Sequence, residues 1–146
     1  MSYTNLLYHI VYGTKDRAPM ITNALRPRLH EYLGGLVNSL HGTPLEINGT
    51  ADHVHMLAKI NPVISISEFL AKFKSLSSGW ARRQSRGRFK WQTKYGAFTV
   101  CQSQTDRVRR YIRNQEAHHA KISFEEEFKA LLKSHRIEFD EKYLWQ

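Results

Sequence analysis

Cysteine is almost absent from this sequence: one residue in 146, Cys101. That excludes an internal disulfide framework and any multi-cysteine zinc site. The thiol sits in "AFTVCQS" and is expected to be small and buried. Long apolar runs are also missing. No stretch approaches the ~20 residues of a membrane span, and the opening "MSYTNLLYHIVYGTKDR" has no basic start followed by an apolar signal core. We therefore expect a soluble, cytoplasmic protein with no membrane partner. Repeats, low-complexity tracts and linker-like stretches are lacking too. One domain spanning residues 1–146 is expected, and its 41% hydrophobic content is enough for one core.

Negative charge is scarce in one place. Between Phe69 and Thr105 there are eight basic residues and no acid. Over the whole chain 22 basic residues face 13 acidic ones, a net charge of +9. The balance is +11 over residues 1–115 (17 basic, 6 acidic) and −2 over residues 116–146 (5 basic, 7 acidic). Such a field attracts polyanions, nucleic acid first among them; a merely solvated basic face is the plainer alternative.

What is present reads as an alternation of strands and helices. "TNLLYHIVYGT" has the β-branched and aromatic residues of a first strand. "TNALRPRLHEYLGGLVNSLHG" carries leucines at helical spacing, with Thr22 as N-cap and Gly42 as stop. "TPLEINGTADHVHMLAKI" predicts two strands around a tight turn at Asn48–Gly49 and Asp52. "SISEFLAKFKSLSSGWARRQ" opens with a capping box, Ser65 to Glu68, and continues as a basic amphipathic helix. "YGAFTVCQS" is a fourth strand. "QTDRVRRYIRNQEAHHAK" is a third helix, capped by Ser103 or Thr105, and "SFEEEFKALLKSH" is a last one with a second capping box, Ser123 to Glu126. The order βαββαβ with appended helices predicts an α+β fold, a ferredoxin-like or RRM-like antiparallel four-stranded sheet with two helices on one face and the other face open.

Two histidines stand one residue apart in "ADHVHMLAKI". On a strand His53 and His55 share one face, while Val54, Met56, Ala58 and Ile60 share the apolar other. The histidines then point away from the helices, where two imidazoles side by side can bind a divalent cation. Alone, such a pair is more often structural. In the third helix Tyr111 and Gln115 are four apart and project from one face. A phenol beside an oxygen ligand suits attack on something a metal holds; amphipathic packing is the alternative. His118 and His119 lie about two helical turns beyond Tyr111, as a proton shuttle, an extra ligand or plain helix-end residues.

Taken together and in this order, "YHIVYGTKDR", "EINGTADHVHML", "YGAFTVCQS", "YIRNQEAHH" and "FEEEFKALLKSHRIEFDEKYLW" resemble the single-tyrosine transposases of the insertion sequence 200/605 group. His53-Val54-His55 is similar to their histidine–hydrophobic–histidine (HUH) signature, and Tyr111 with Gln115 to their catalytic helix. The related repeat-associated (REP-associated) transposases, possible domesticated forms, share these features. The resemblance implies cleavage and rejoining of single-stranded DNA, with Tyr111 forming a 5′-phosphotyrosine link and leaving a free 3′-OH. It implies Mg²⁺ or Mn²⁺ held by His53, His55 and Gln115, polarising a phosphate oxygen. It also implies DNA hairpin ends as partner and a homodimer whose chains share active sites. Lys15-Asp16-Arg17 departs from the more basic stretch that many members carry after the first strand.

For holding DNA, Lys72, Lys74, Arg82, Arg83, Arg86, Arg88 and Lys90 interleave with aromatics that could stack bases, among them Phe89, Trp91 and Tyr95; Trp80 and Phe98 read better as core. Arg107, Arg109, Arg110 and Arg113 surround Tyr111 and could position the scissile phosphate, Arg107 and Arg110 foremost. The competing reading from another class is a non-catalytic module of the same fold that binds single-stranded nucleic acid.

Overall fold

The computed structural model describes residues 2–146. Four strands form one antiparallel sheet: β1 (Leu7–Gly13), β2 (Thr43–Gly49), β3 (His53–Lys59) and β4 (Gly96–Val100), in the order β2-β3-β1-β4. This is the ferredoxin-like arrangement, with α1 (Arg26–Ser39) and α2 (Ile66–Ser85) as the two crossovers. β1 is central and pairs with β3 and with β4, so that Gly13 stands opposite His53 and Val11 opposite both His55 and Gly96. The chain then forms α3 (Thr105–Arg113), α4 (Gln115–His119) and α5 (Phe124–Ser134).

Alternation along the strands decides what each face meets. Ile10 and Tyr12 of β1 and Val54, Met56 and Ala58 of β3 pack with Leu29, Leu33 and Val37 of α1 and Phe69, Phe73 and Ala81 of α2. Each of the larger aliphatic and phenylalanine side chains among them contributes ~1.5–3 kcal/mol of transfer free energy. Phe89 and Trp91 join this core rather than offering themselves to bases: Trp91 stands edge-on to Tyr12 at 4.8 Å, and its indole N–H donates to Ser77 Oγ at 2.9 Å.

Local chemistry explains the boundaries. Ser65 Oγ accepts from Glu68 N and Ser123 Oγ from Glu126 N, both at 3.1 Å, so both serines cap the helix starts read from the sequence. Thr22 Oγ1 accepts from Leu25 N at 3.2 Å in the turn preceding α1. The stop of α1 differs in detail from expectation. His41, not Gly42, takes the left-handed conformation (φ 63°), while Gly42 N donates to Val37 O at 2.9 Å. Gly42 is needed there for space, since a Cβ would lie 2.6 Å from Lys59 O. Between β2 and β3, β2 extends through Gly49 and residues 50–52 make the reversal.

Two expectations fail near the third helix. A short 3₁₀ turn, Gln102–Gln104, leads into α3, and neither Ser103 nor Thr105 caps it through its side chain; Thr105 Oγ1 donates back to Gln102 O at 2.8 Å. The helix is also interrupted at Asn114. Asn48 Nδ2 of β2 donates to Ile112 O and Arg113 O at 3.0 and 3.1 Å, capturing carbonyls that end α3. Cys101 is exposed at the end of β4, not buried.

Candidate active site

β3 places His53 and His55 on the sheet face away from α1 and α2. That face is not open. Both histidines have 0% exposure, because the C-terminal segment carries an apolar stripe of its own. Phe124, Phe128 and Leu132 of α5 pack with Val11 and Phe98 of the sheet and with Leu144. Phe124 stacks on His53, ring centroids 4.2 Å apart at 10°. The stacking requires Gly13 beside His53, since a Cβ at Gly13 would lie 2.7 Å from the Phe124 ring.

Each buried imidazole is oriented through its Nδ1. That of His53 lies 2.8 Å from Asp52 Oδ1 and 3.0 Å from Thr50 Oγ1. His55 Nδ1 meets His9 Nε2 at 2.8 Å, and His119 Nδ1 meets Ile122 O at 2.9 Å. The three Nε2 atoms therefore converge. Where they converge stands the carboxylate of Glu127, with Oε1 at 2.8 Å from His55 Nε2, 2.9 Å from His119 Nε2 and 3.5 Å from His53 Nε2. Its Oε2 accepts from the Tyr111 phenol and, at 3.1 Å, from Gln115 Nε2. Gln115 Oε1 lies 3.0 Å from His53 Nε2. Tyr111, Gln115 and the histidine pair thus meet within one chain.

The electrostatics follow from this burial. Desolvation pulls His55 down to about 4 against the opposing pull of Glu127, leaving a neutral imidazole near pH 7, the form a metal ligand needs. Burial and then the neighbouring His55 lower His9 as well. For Glu127, burial favours the protonated acid, but hydrogen bonds from His119 and His55 outweigh it and hold the group well below the usual carboxylate range. Burial, followed by the hydrogen bond to Glu127, raises Tyr111 above its ordinary value. The resting phenol is therefore protonated and held in place by a carboxylate.

The group His53, His55, His119 and Glu127 has ligand atoms that all lie within 4.8 Å of one another. Three imidazole nitrogens and a carboxylate oxygen are a donor set that fits a divalent cation. Reading the sequence missed Glu127 and His9, and set His119 with plain helix-end residues among its alternatives. A signal for Glu127 exists: it sits three after Phe124 and four before Leu131, on the apolar stripe of its helix, where an unpaired carboxylate is costly.

The basic residues divide. Lys72, Arg82, Arg83, Arg86, Arg88 and Lys90 are exposed on α2 and the loop after it. Lys74 turns inward, donating to the carbonyls of Gln92 and, at 3.1 Å, Thr93, and burial lowers it to about 8. The loop carrying Arg88 and Lys90 reaches the end of the sheet that holds His53, since Lys15 N donates to Lys90 O and Thr14 bridges to Trp91 just past Gly13. Arg107 and Arg110 are exposed on α3, whereas Arg109 and Arg113 pair with Glu46 at 3.4 and 2.9 Å. Arg107 and Tyr111 line a pocket of about 550 Å³ with His9, Phe98 and His135. No described helix is long and apolar enough to cross a membrane.

Comparison with known proteins bears on the family and the fold. Residues 2–115 match the family described as "Transposase IS200 like". The transposase for insertion sequence element IS200 of Salmonella typhimurium is 31% identical over 118 residues, covering 76% of this chain and 77% of the relative; that of Salmonella typhi matches equally. Among solved structures, a putative transposase from Deinococcus radiodurans superposes with a TM-score of 0.64 at 21% identity, covering 78% of this chain and 93% of the other. A REP-associated tyrosine transposase bound to a REP hairpin superposes with a TM-score of 0.62 at 10% identity, covering 84% and 73%. Both share the fold.

Proposed function

The chain belongs to the IS200-like transposase family, and from that premise we propose that it cleaves and rejoins single-stranded DNA through Tyr111. The observation that carries this reading is the position of the Tyr111 phenol, hydrogen-bonded to the same carboxylate that the paired histidines contact. The Tyr111 oxygen attacks a backbone phosphorus. The P–O3′ bond breaks, one fragment leaves with a free 3′-OH, and the other stays attached as a 5′-phosphotyrosine. A 3′-OH reverses the attack, so the bond energy is conserved and no external energy source enters.

His53, His55 and Gln115 would hold the divalent cation, Mg²⁺ or Mn²⁺, which when bound neutralises charge on the phosphate. Asp52 and His9 hold the two histidines in the tautomer and orientation that direct Nε2 inward. Exposed Lys72, Arg82, Arg83, Arg86, Arg88 and Lys90, with Arg107 and Arg110 near the tyrosine, supply the phosphate contacts. Lys74, tied to backbone carbonyls, contributes mainly to the fold of the loop it binds.

One solved relative is described as bound to a REP hairpin. By likeness to it, we assign a hairpin-ended single strand as the substrate here, and from the family resemblance alone a homodimer as the working form. The chain already contains a complete site, so a dimer would share sites by exchanging the segment from Thr105 onward.

Incubating a labelled single-stranded oligonucleotide with Mn²⁺ or Mg²⁺ tests the reading. A covalent protein–DNA adduct is expected from the wild type and none from Tyr111→Phe, with strand binding retained. An adduct in the phenylalanine variant would refute the assignment of the nucleophile. Strand binding with no adduct from either protein would favour the non-catalytic module.

A further inference from the structure

The family match ends at Gln115. His119 and Glu127 lie beyond the residues that it matches. We propose that this C-terminal segment supplies two further ligands, Glu127 and His119, so that three imidazoles and a carboxylate, beside the Gln115 amide oxygen, hold the cation and select a transition metal such as Mn²⁺ or Co²⁺ over Mg²⁺. The inference rests on the functional reading above and deepens its metal site.

The first support is hydrogen bookkeeping. His119 Nδ1 faces a carbonyl oxygen at 2.9 Å, which can only accept. With Nδ1 donating to that carbonyl, Nε2 can meet Glu127 Oε1, another acceptor, at 2.9 Å only if it carries a second proton or if a cation takes that proton's place. His53 repeats the pattern. Its Nδ1 faces the Asp52 carboxylate at 2.8 Å, and its Nε2 lies 3.0 Å from Gln115 Oε1 and 3.5 Å from Glu127 Oε1. The buried carboxylate therefore gathers imidazole nitrogens that need positive charge between them, a requirement that protons or a metal ion at the same place can meet.

The second support is metric. On a five- or six-coordinate cation with bonds of about 2.1 Å, ligand atoms at right angles to one another are about 3.0 Å apart. Glu127 Oε1 stands 2.8–3.5 Å from the three imidazole nitrogens, close to that spacing. The third support is chemical. Mg²⁺ prefers oxygen ligands and keeps much of its water, whereas imidazole-rich sets favour later divalent metals. The other carboxylate oxygen receives the Tyr111 phenol, so the same residue couples the ligand set to the nucleophile as a positioning residue.

The test is binding, read without DNA. Chelator-stripped protein is titrated with Mn²⁺, Co²⁺ and Mg²⁺ by calorimetry, and X-ray absorption on the Co²⁺-loaded wild type counts imidazoles. Three imidazoles are expected, with Mn²⁺ and Co²⁺ bound at least ~10-fold tighter than Mg²⁺. Glu127→Gln and His119→Ala should each weaken Mn²⁺ binding by at least ~10-fold, while Glu125→Gln leaves it unchanged. Two imidazoles in the wild type, or wild-type affinity in both variants, overturns the proposal. The wild-type absorption measurement decides the matter even if a variant fails to fold. A Tyr111-dependent adduct together with a two-imidazole site would leave the proposed function standing and this inference refuted.

Discussion

One face of the sheet is covered by α1 and α2 and the other by α3, α4 and α5, yet the two interiors differ in kind. The first is filled with Ile10, Tyr12, Met56, Phe69 and Phe73, side chains that need only shape. The second mixes Val11, Phe98, Phe124 and Phe128 with His9, His53, His55, Gln115 and Glu127, all buried. Burying that many polar groups costs stability unless each has a partner. The apolar face supplies the free energy that lets the polar face be arranged for chemistry, so the two are separable by experiment.

The largest effect should come from the apolar side. Phe73→Ala is expected to cost ~3–5 kcal/mol of unfolding free energy, measured by urea denaturation, while adduct formation per folded molecule stays at the wild-type level. A matching loss of adduct would mean that the division between faces is not real. Gly13→Ala probes the seam on the polar side. The added methyl must displace the Phe124 ring from His53, at a cost of ~1–3 kcal/mol. Unlike Phe73→Ala, it should also slow adduct formation; a wild-type rate would show that the stacked ring does not orient His53.

Acid should act on both faces. His30 on α1 has a buried Nε2 without a partner, and burial, then Arg26, lowers it to about 4. The unfolded chain takes up the proton near pH 6.5, so stability falls as pH drops from there toward 4 and stops falling below it. On the polar face His55 follows the same course. The depressed Glu127 adds stability that is present above its unfolded value near 4.5 and is lost as pH falls below that value. Between pH 7 and 5, His30→Leu should therefore remove part of the decline, on the order of 1 kcal/mol, in denaturation midpoints measured at both pH values. An unchanged decline would assign it to the polar face alone.

The smallest effects give the sharpest contrast. Ser65→Ala and Ser123→Ala remove the same cap from α2 and α5, each worth ~1 kcal/mol. Thermal melts should show similar losses. Only Ser123→Ala should also lower the adduct rate, because α5 carries Glu127.

The elements were legible in the sequence where local chemistry decides them: both serine N-caps, the alternation of β3, and the pairing of Tyr111 with Gln115. The break at Asn114 was not, because its cause is Asn48, distant in sequence, and no glycine or proline marks it. The covering of the histidine face was missed for a related reason. An alternating strand shows which side is apolar toward α1 and α2, but not that Phe124 and Phe128 will claim the other side. Glu127 was hidden in "FEEEF", where three consecutive acids read as first-turn charge complementing a helix dipole.

The spread of the site along the chain also bears on when the protein becomes active. The strands bearing His9, His53 and His55 leave the ribosome early, and the apolar face is complete in sequence by Trp91. The tyrosine follows, and the carboxylate that holds its phenol comes only at Glu127. A nascent chain can thus assemble the residues of its first core before the carboxylate that holds the Tyr111 phenol has been made.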